Sequence, residues 1–219
     1  MFQGFYESTL KYYAAVRKDN SRKTHKENEI LYLEGVKYPL EELYFELYHY
    51  FSGYDRDLLS NKRKCISSAY NDARFSSGMP IKEYFYIRFK LDGLNKKNAL
   101  GFFFDASLDG YKYGLDIYHP DAKGMGKIRD YLLSHKRTAK KVIKGYRETG
   151  LLNVQGEKYK RAHYQEEDSA LRDWLEYKTL SFVREEDLSA VFYEREILKC
   201  ILAAFDSVKE VYFMLKRAL

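Results

Sequence analysis

The sequence predicts an α+β fold, an antiparallel sheet packed on one face by long N-terminal and C-terminal helices, in a single domain over residues 1–219. Three observations predict it. Apolar residues recur at helical spacing towards both ends of the chain. Between about Lys62 and Tyr118 the period changes to two, and there an Asp109-Gly110 pair joins two alternating runs as a hairpin turn would. With 45% hydrophobic and 32% charged residues the composition is that of a folded chain rather than a disordered one, and no repeat, low-complexity tract or linker divides it.

Ser8 precedes a helical pattern running to about Arg17 and is the expected N-cap. The polar stretch KDNSRKT breaks it. From about Thr24 to Tyr54, Ile30, Leu33, Val36, Leu40, Leu43, Leu47 and Phe51 recur at helical spacing. Pro39 has no N–H for the preceding turn and is expected to kink this element or split it.

Tyr84 to Leu91 alternates, with Phe85, Ile87, Phe89 and Leu91 on one face. If Asp109-Gly110 forms a type I′ turn, Leu108 pairs with Tyr111, Ala106 with Tyr113, Phe104 with Leu115 and Phe102 with Ile117. That face is apolar, and the other gathers Asp105, Ser107, Lys112, Asp116 and Tyr118 around Phe103. A sheet of three or more strands with a core side and a polar side follows.

After Pro120 the helical period returns to about Arg147, with a stop at Gly150. Asn153–Arg161 reads as a short strand or a hairpin around Gly156. A helix over about Glu167–Glu176, an extended piece at Leu180–Arg184 and a last helix complete the chain. The last helix carries Leu198, Ile201, Phe205, Val208, Tyr212, Leu215 and Leu219 at steps of three and four, a stripe suited to core packing or to a dimer seam.

No run of about 18 apolar residues is present, which excludes an apolar membrane helix. The start shows no basic region followed by an apolar stretch, so a cytoplasmic protein is expected, with Cys65 and Cys200 as free thiols. Net charge is +6, unevenly spread. Between Lys123 and Arg147 nine Lys and Arg residues face Asp130 alone, and Lys136, Lys140 and Lys144 recur every fourth residue. Such a stripe is either a solvated helix face or, with Lys141, a surface for nucleic acid or an acidic protein.

The five histidines are scattered, with no HxH, HExxH or CxxC pair, so no metal site is expected. Asp116, His119 and Asp121 offer two oxygens and an imidazole that could hold a divalent ion, but turn chemistry before Pro120 is the favoured reading. No phosphate-cradling glycine loop and no nucleophile elbow occurs, and no cofactor is indicated. The polar loop NDARFSSGMPIK is the candidate ligand site, with Asp72 orienting Arg74, and Ser76 and Lys82 adding donors for a small anion. Arg88 on the neighbouring run extends it. Asp105 and Asp116 form a candidate carboxylate pair for proton transfer. Against each stands a structural role, Asp72 and Arg74 locking a turn and Arg88 and Lys112 neutralising the two aspartates.

Several phrases together resemble a bacterial family known only as domain of unknown function 2461. They are MFQGF before a Ser–Thr helix, DARFS with a following Pro and Lys, YGLDIYHPD, and KTLSF near the C-terminus. The likeness spans nearly the whole chain in order and implies one α+β domain without supplying a mechanism. Asp72, Arg74, Phe75, Ser76, Pro80 and Lys82 match the family pattern, as do Asn20, Arg22 and Asn28 at the first break. Ser68 and Asn71 stand where basic residues are usual in that family, and the turn is one residue shorter. If the family binds an anion there, this member has lost part of the positive charge.

Overall fold

The computed structural model describes residues 1–74, 78–91 and 97–219. Its elements are α1 (Glu7–Lys18), α2 (Arg22–Glu27), α3 (Glu29–Tyr32), a π-helical turn (Leu33–Lys37), α4 (Tyr38–Ser52) and α5 (Lys62–Cys65). Then come β1 (Tyr84–Lys90), β2 (Ala99–Ser107), β3 (Gly110–Tyr118), α6 (Ala122–Ser134), α7 (Lys136–Thr149) and β4 (Asn153–Gln155). The chain closes with α8 (Ser169–Leu175), β5 (Ser181–Glu186), α9 (Glu196–Ser207) and α10 (Lys209–Ala218). The strands form one antiparallel sheet in the order β1-β2-β3-β5-β4, so the fold is α+β. The chain divides into two compact units, Met1–Phe89 with Phe103–Lys112 and Glu185–Ile201, and Lys90–Phe102 with Tyr113–Arg184 and Leu202–Leu219.

In the first unit the core is aromatic. Phe5 packs on Phe85, Phe104 and Phe192 at ring separations of 5.0, 5.4 and 4.9 Å. Tyr13 of α1 stacks on Phe85, and Tyr44 and Phe51 of α4 pack on Phe89. The alternation of β1 thus faces Phe85, Ile87 and Phe89 towards the N-terminal helices, as its period predicts.

Two N-terminal expectations need correction. α1 starts at Glu7 with Tyr6, not Ser8, at its N-cap, because the Tyr6 N–H is taken by the Thr9 hydroxyl at 3.3 Å. Pro39 does not split its helix. The backbone stays helical from Glu29 to Ser52 by widening into the π turn just before the proline, which then sits in the first turn of α4.

The hairpin turn also differs. β2 ends at Ser107 and β3 begins at Gly110, so Leu108 and Asp109 occupy the turn, one residue earlier than expected. A type I′ turn needs positive φ at both central residues, yet Gly110 has it (φ 136°) and Asp109 does not. Asp109 is held instead by its N–H donating to the Ser107 hydroxyl and by Arg17 of α1. The faces stay as the alternation predicts: Phe104, Ala106 and Tyr111 are buried in the first unit, and Asp105 and Ser107 are not.

In the second unit Trp174 of α8 packs with Tyr146 of α7 and Phe182 of β5, and Phe102 packs with Phe205 and Tyr212. Gly114 lets β3 approach β5, since a Cβ there would lie 1.9 Å from the Phe182 carbonyl oxygen. The expected helix after Pro120 is two helices, broken at His135, and the last one is two, broken at Val208. Gly150 ends α7 in the left-handed conformation (φ 61°), as expected. Leu198, Ile201, Phe205, Val208, Tyr212 and Leu215 are all buried, which makes the stripe core up to Leu215; Leu219, its last member, is half-buried. Cys65 and Cys200 are thiols, not joined in a disulfide. Among the described residues no helix is long and apolar enough to cross a membrane.

Candidate functional site

The described part of the segment carrying the predicted ligand residues lies in the first unit, and its two arms, around Ala69–Asn71 and Pro80–Lys82, pair with each other. Lys82 N–H donates to the Ala69 carbonyl at 2.8 Å and Asn71 N–H to the Pro80 carbonyl at 2.9 Å. A side chain from the α1–α2 break holds it: the Asn20 amide donates to the Ile81 carbonyl and accepts the Ile81 N–H, both at 2.9 Å. Asn20 thereby mimics a strand neighbour, linking two stretches of sequence that carry the family likeness.

At the loop tip, Asp72 accepts Arg74 Nε at 3.0 Å and Arg74 Nη2 at 2.5 Å, together with the Arg74 N–H. These donors pull the Asp72 carboxyl down to about 2. The Arg74 side chain is 78% exposed. Ser76 lies outside the described residues. Lys82 turns back on its own hairpin, donating to the Ser68 and Tyr70 carbonyls and the Ser68 hydroxyl, and burial lowers its pKa. Arg88 of β1 reaches Asp105 of β2 at 2.9 Å, with side chains 17% and 14% exposed, and its guanidinium lies 5.1 Å from the Phe103 ring centre. So the structure joins Asp72 to Arg74 and Arg88 to Asp105, and it turns Lys82 onto backbone. Asp116 is half-buried on β3 in the other unit.

Beside Asp105 opens a shallow cleft of about 710 Å³. It is lined by the carboxylates of Glu83, Asp105, Asp109, Glu185, Glu186 and Asp187 against two cations, Arg17 and Lys112. Arg17 is itself committed to Asp109, at 2.9 and 2.6 Å, which holds the Asp109 carboxyl below its usual value. Tyr84 and Ser107 complete the polar wall. The acidic residues at the end of β5, Glu185 and Glu186 with Asp187 just beyond, are far from the β2–β3 hairpin in sequence, and the 185–187 run EED is the signal that could have marked them. Among the described residues no group of three or more His, Cys, Asp or Glu is placed to hold a metal ion.

The basic stripe of α7 meets acids from the next segment. Lys136 pairs with Glu167 at 2.5 Å, Lys140 with Asp168 at 3.7 Å and Arg147 with Asp173 at 3.3 Å. Arg129 of α6, one of the nine cations between Lys123 and Arg147, is buried and donates to the Leu175 and Tyr177 carbonyls at the end of α8. No curated protein and no solved structure matches the chain. A family model does, over residues 8–213, nearly the full length: the chain belongs to the family described as conserved hypothetical protein (DUF2461).

Proposed function

We propose that the chain is a small-molecule-binding protein whose ligand carries one or more amino groups and sits in the cleft beside Asp105. The carrying observation is the charge of that lining, six carboxylates against the lining cations Arg17 and Lys112; Arg17 meets Asp109 and Glu83, Arg88 meets Asp105, and the acidic excess that is left lies with Glu185, Glu186 and Asp187. A concave surface of one sign concentrates ligands of the other and disfavours anions. Arg88 of β1 fixes the Asp105 carboxylate of β2 by an ion pair whose side chains are 17% and 14% exposed, a feature that packing alone does not require. Arg74 supports a second reading, an anion site at the loop tip, through its exposed and pre-oriented guanidinium. The α7 stripe supports polyanion binding less, because Lys136, Lys140, Lys144 and Arg147 are each met by an acid.

A thermal-shift series on wild type, Asp105→Asn and Arg74→Ala tests this, with diamines, basic amino acids, sugar phosphates, nucleotides and an oligonucleotide at low and high salt. A ligand at a hundred times its dissociation constant raises Tm by about 5–11 °C for a chain this size. The expected result is a shift from an amine that persists in Arg74→Ala and is lost in Asp105→Asn. A shift from a small anion that disappears in Arg74→Ala would move the site to the loop tip and overturn the amine reading. A shift from the oligonucleotide alone would transfer the function to α7.

A further inference from the structure

A second pocket in the first unit has a different chemistry. It encloses about 420 Å³ and is lined by Tyr6, Ser8, Glu34, Tyr38, Pro39 and Glu42. Two phenol rings and a pyrrolidine supply the apolar wall, two carboxylates supply charge, and no cation is in the lining. Tyr6 and Tyr38 are 47% and 52% exposed, so both rings offer surface to the space between them and solvent.

The walls are fixed by one buried hydroxyl. Thr9 Oγ1 accepts the Tyr6 N–H at 3.3 Å and donates to the Gly35 carbonyl at 2.5 Å. Tyr6 is one wall of the pocket, and Gly35 follows Glu34 on the other. The π turn over Leu33–Lys37 places Glu34 next to Tyr38 and Pro39, and π turns recur at functional sites. A pocket already held in shape loses little entropy when it is filled.

We propose that this pocket binds an alkylated ammonium group. A primary ammonium is a strongly hydrated point charge that seeks three acceptors. A quaternary ammonium has no N–H to satisfy, is attracted by aromatic faces, and is neutralised by carboxylates at longer range. The lining matches the second set of demands. Glu42 already lies 3.4 Å from a cationic nitrogen, the amino group of Met1, which leaves Glu34 as the carboxylate for the ligand.

Titration of the full chain with tetramethylammonium and choline, followed by ligand-observed NMR, tests the proposal. The neutral isostere 3,3-dimethylbutan-1-ol and ammonium chloride are the controls. Tetramethylammonium and choline are expected to bind about tenfold tighter than the isostere and than ammonium. Tyr38→Ala and Glu34→Gln should each weaken them by a similar factor with Tm unchanged, and Tyr38→Phe, which keeps the ring, should retain binding. Equal binding of the isostere would reduce the site to an apolar hollow and overturn the proposal, as would no binding at all. Binding that survives Tyr38→Ala and Glu34→Gln but is lost in Asp105→Asn would belong to the cleft. Failure of the cleft reading leaves this pocket untouched, because none of its six residues lines the cleft.

Discussion

The Thr9 hydroxyl donates to the Gly35 carbonyl across 26 residues of sequence, and this bond resolves the conflict that Pro39 creates. In an unbroken α-helix the Gly35 carbonyl would accept from the N–H of residue 39, which proline lacks. Left buried without a donor, that carbonyl would cost about 1–3 kcal/mol. Thr9→Val is therefore expected to destabilise the fold by about that amount in urea unfolding. Pro39→Ala restores an N–H and should recover part of the loss in the Thr9→Val background, a coupling that a double-mutant cycle measures. Gly35 is fixed by the same contact: a Cβ there would lie 2.5 Å from the Thr9 nitrogen, so Gly35→Ala should cost about 1–3 kcal/mol or more by overpacking.

Periodicity made most of the fold legible and little of the site. β1, β2 and β3 could be read because burial on one face imposes a period of two, and that signal survives a turn placed one residue away. The turn itself was misplaced because Asp-Gly fits two adjacent positions, and Arg17, 92 residues away, holds Asp109 in the structure. The basic stripe of α7 was visible, but Glu167, Asp168 and Asp173, which meet it, lie beyond the helix in sequence. Arg74 with Asp72 could be paired by proximity, whereas Lys82 bonds to backbone carbonyls, acceptors that every residue carries and no motif records.

Asn20 is expected to matter for the loop rather than for a ligand. Its amide serves both the N–H and the C=O of Ile81, and Glu83 lies 3.4 Å from the same nitrogen. Asn20→Asp keeps the acceptor, removes the donor and brings a charge against Glu83. A loss of about 1–3 kcal/mol follows. Hydrogen exchange should show the Ile81 amide opening faster, because its partner now repels its neighbours. Unchanged exchange at Ile81 would mean that the loop is held elsewhere.

Arg88 and Asp105 are sheltered enough that breaking the pair costs more than a surface ion pair would. Arg88→Met is expected to destabilise by about 2–3 kcal/mol, since the Asp105 carboxylate keeps its burial and loses its cation. Arg88→Met with Asp105→Leu should return most of that, because apolar groups of similar volume need no partner. Arg74→Ala at the exposed loop tip should leave Tm unchanged. If Arg74→Ala unfolds the chain, Asp72 and Arg74 are a structural lock on the loop.

His25 gives the fold a pH dependence separate from that of its carboxylates. It is buried, its Nδ1 lies 2.7 Å from the Tyr12 hydroxyl, and the rings of Tyr12, Tyr32 and Tyr70 surround it at 5.8, 5.2 and 5.1 Å. Burial lowers its pKa from 6.5, with Glu29 opposing. The unfolded chain therefore binds the proton more readily than the fold does. Stability from this group is fully present above about pH 6.5 and is lost as pH falls through the lower folded value. Asp72, held near 2, acts in another window, its contribution fading only below its ordinary 3.8. Wild type should thus lose Tm as pH falls below about 6.5, and His25→Gln, which keeps an acceptor for Tyr12, should flatten that slope while leaving the fall that carboxylate protonation causes at lower pH. An unchanged slope in His25→Gln would show that the imidazole stays in the same protonation equilibrium folded and unfolded, and that Tyr12 shelters it less than the three rings imply.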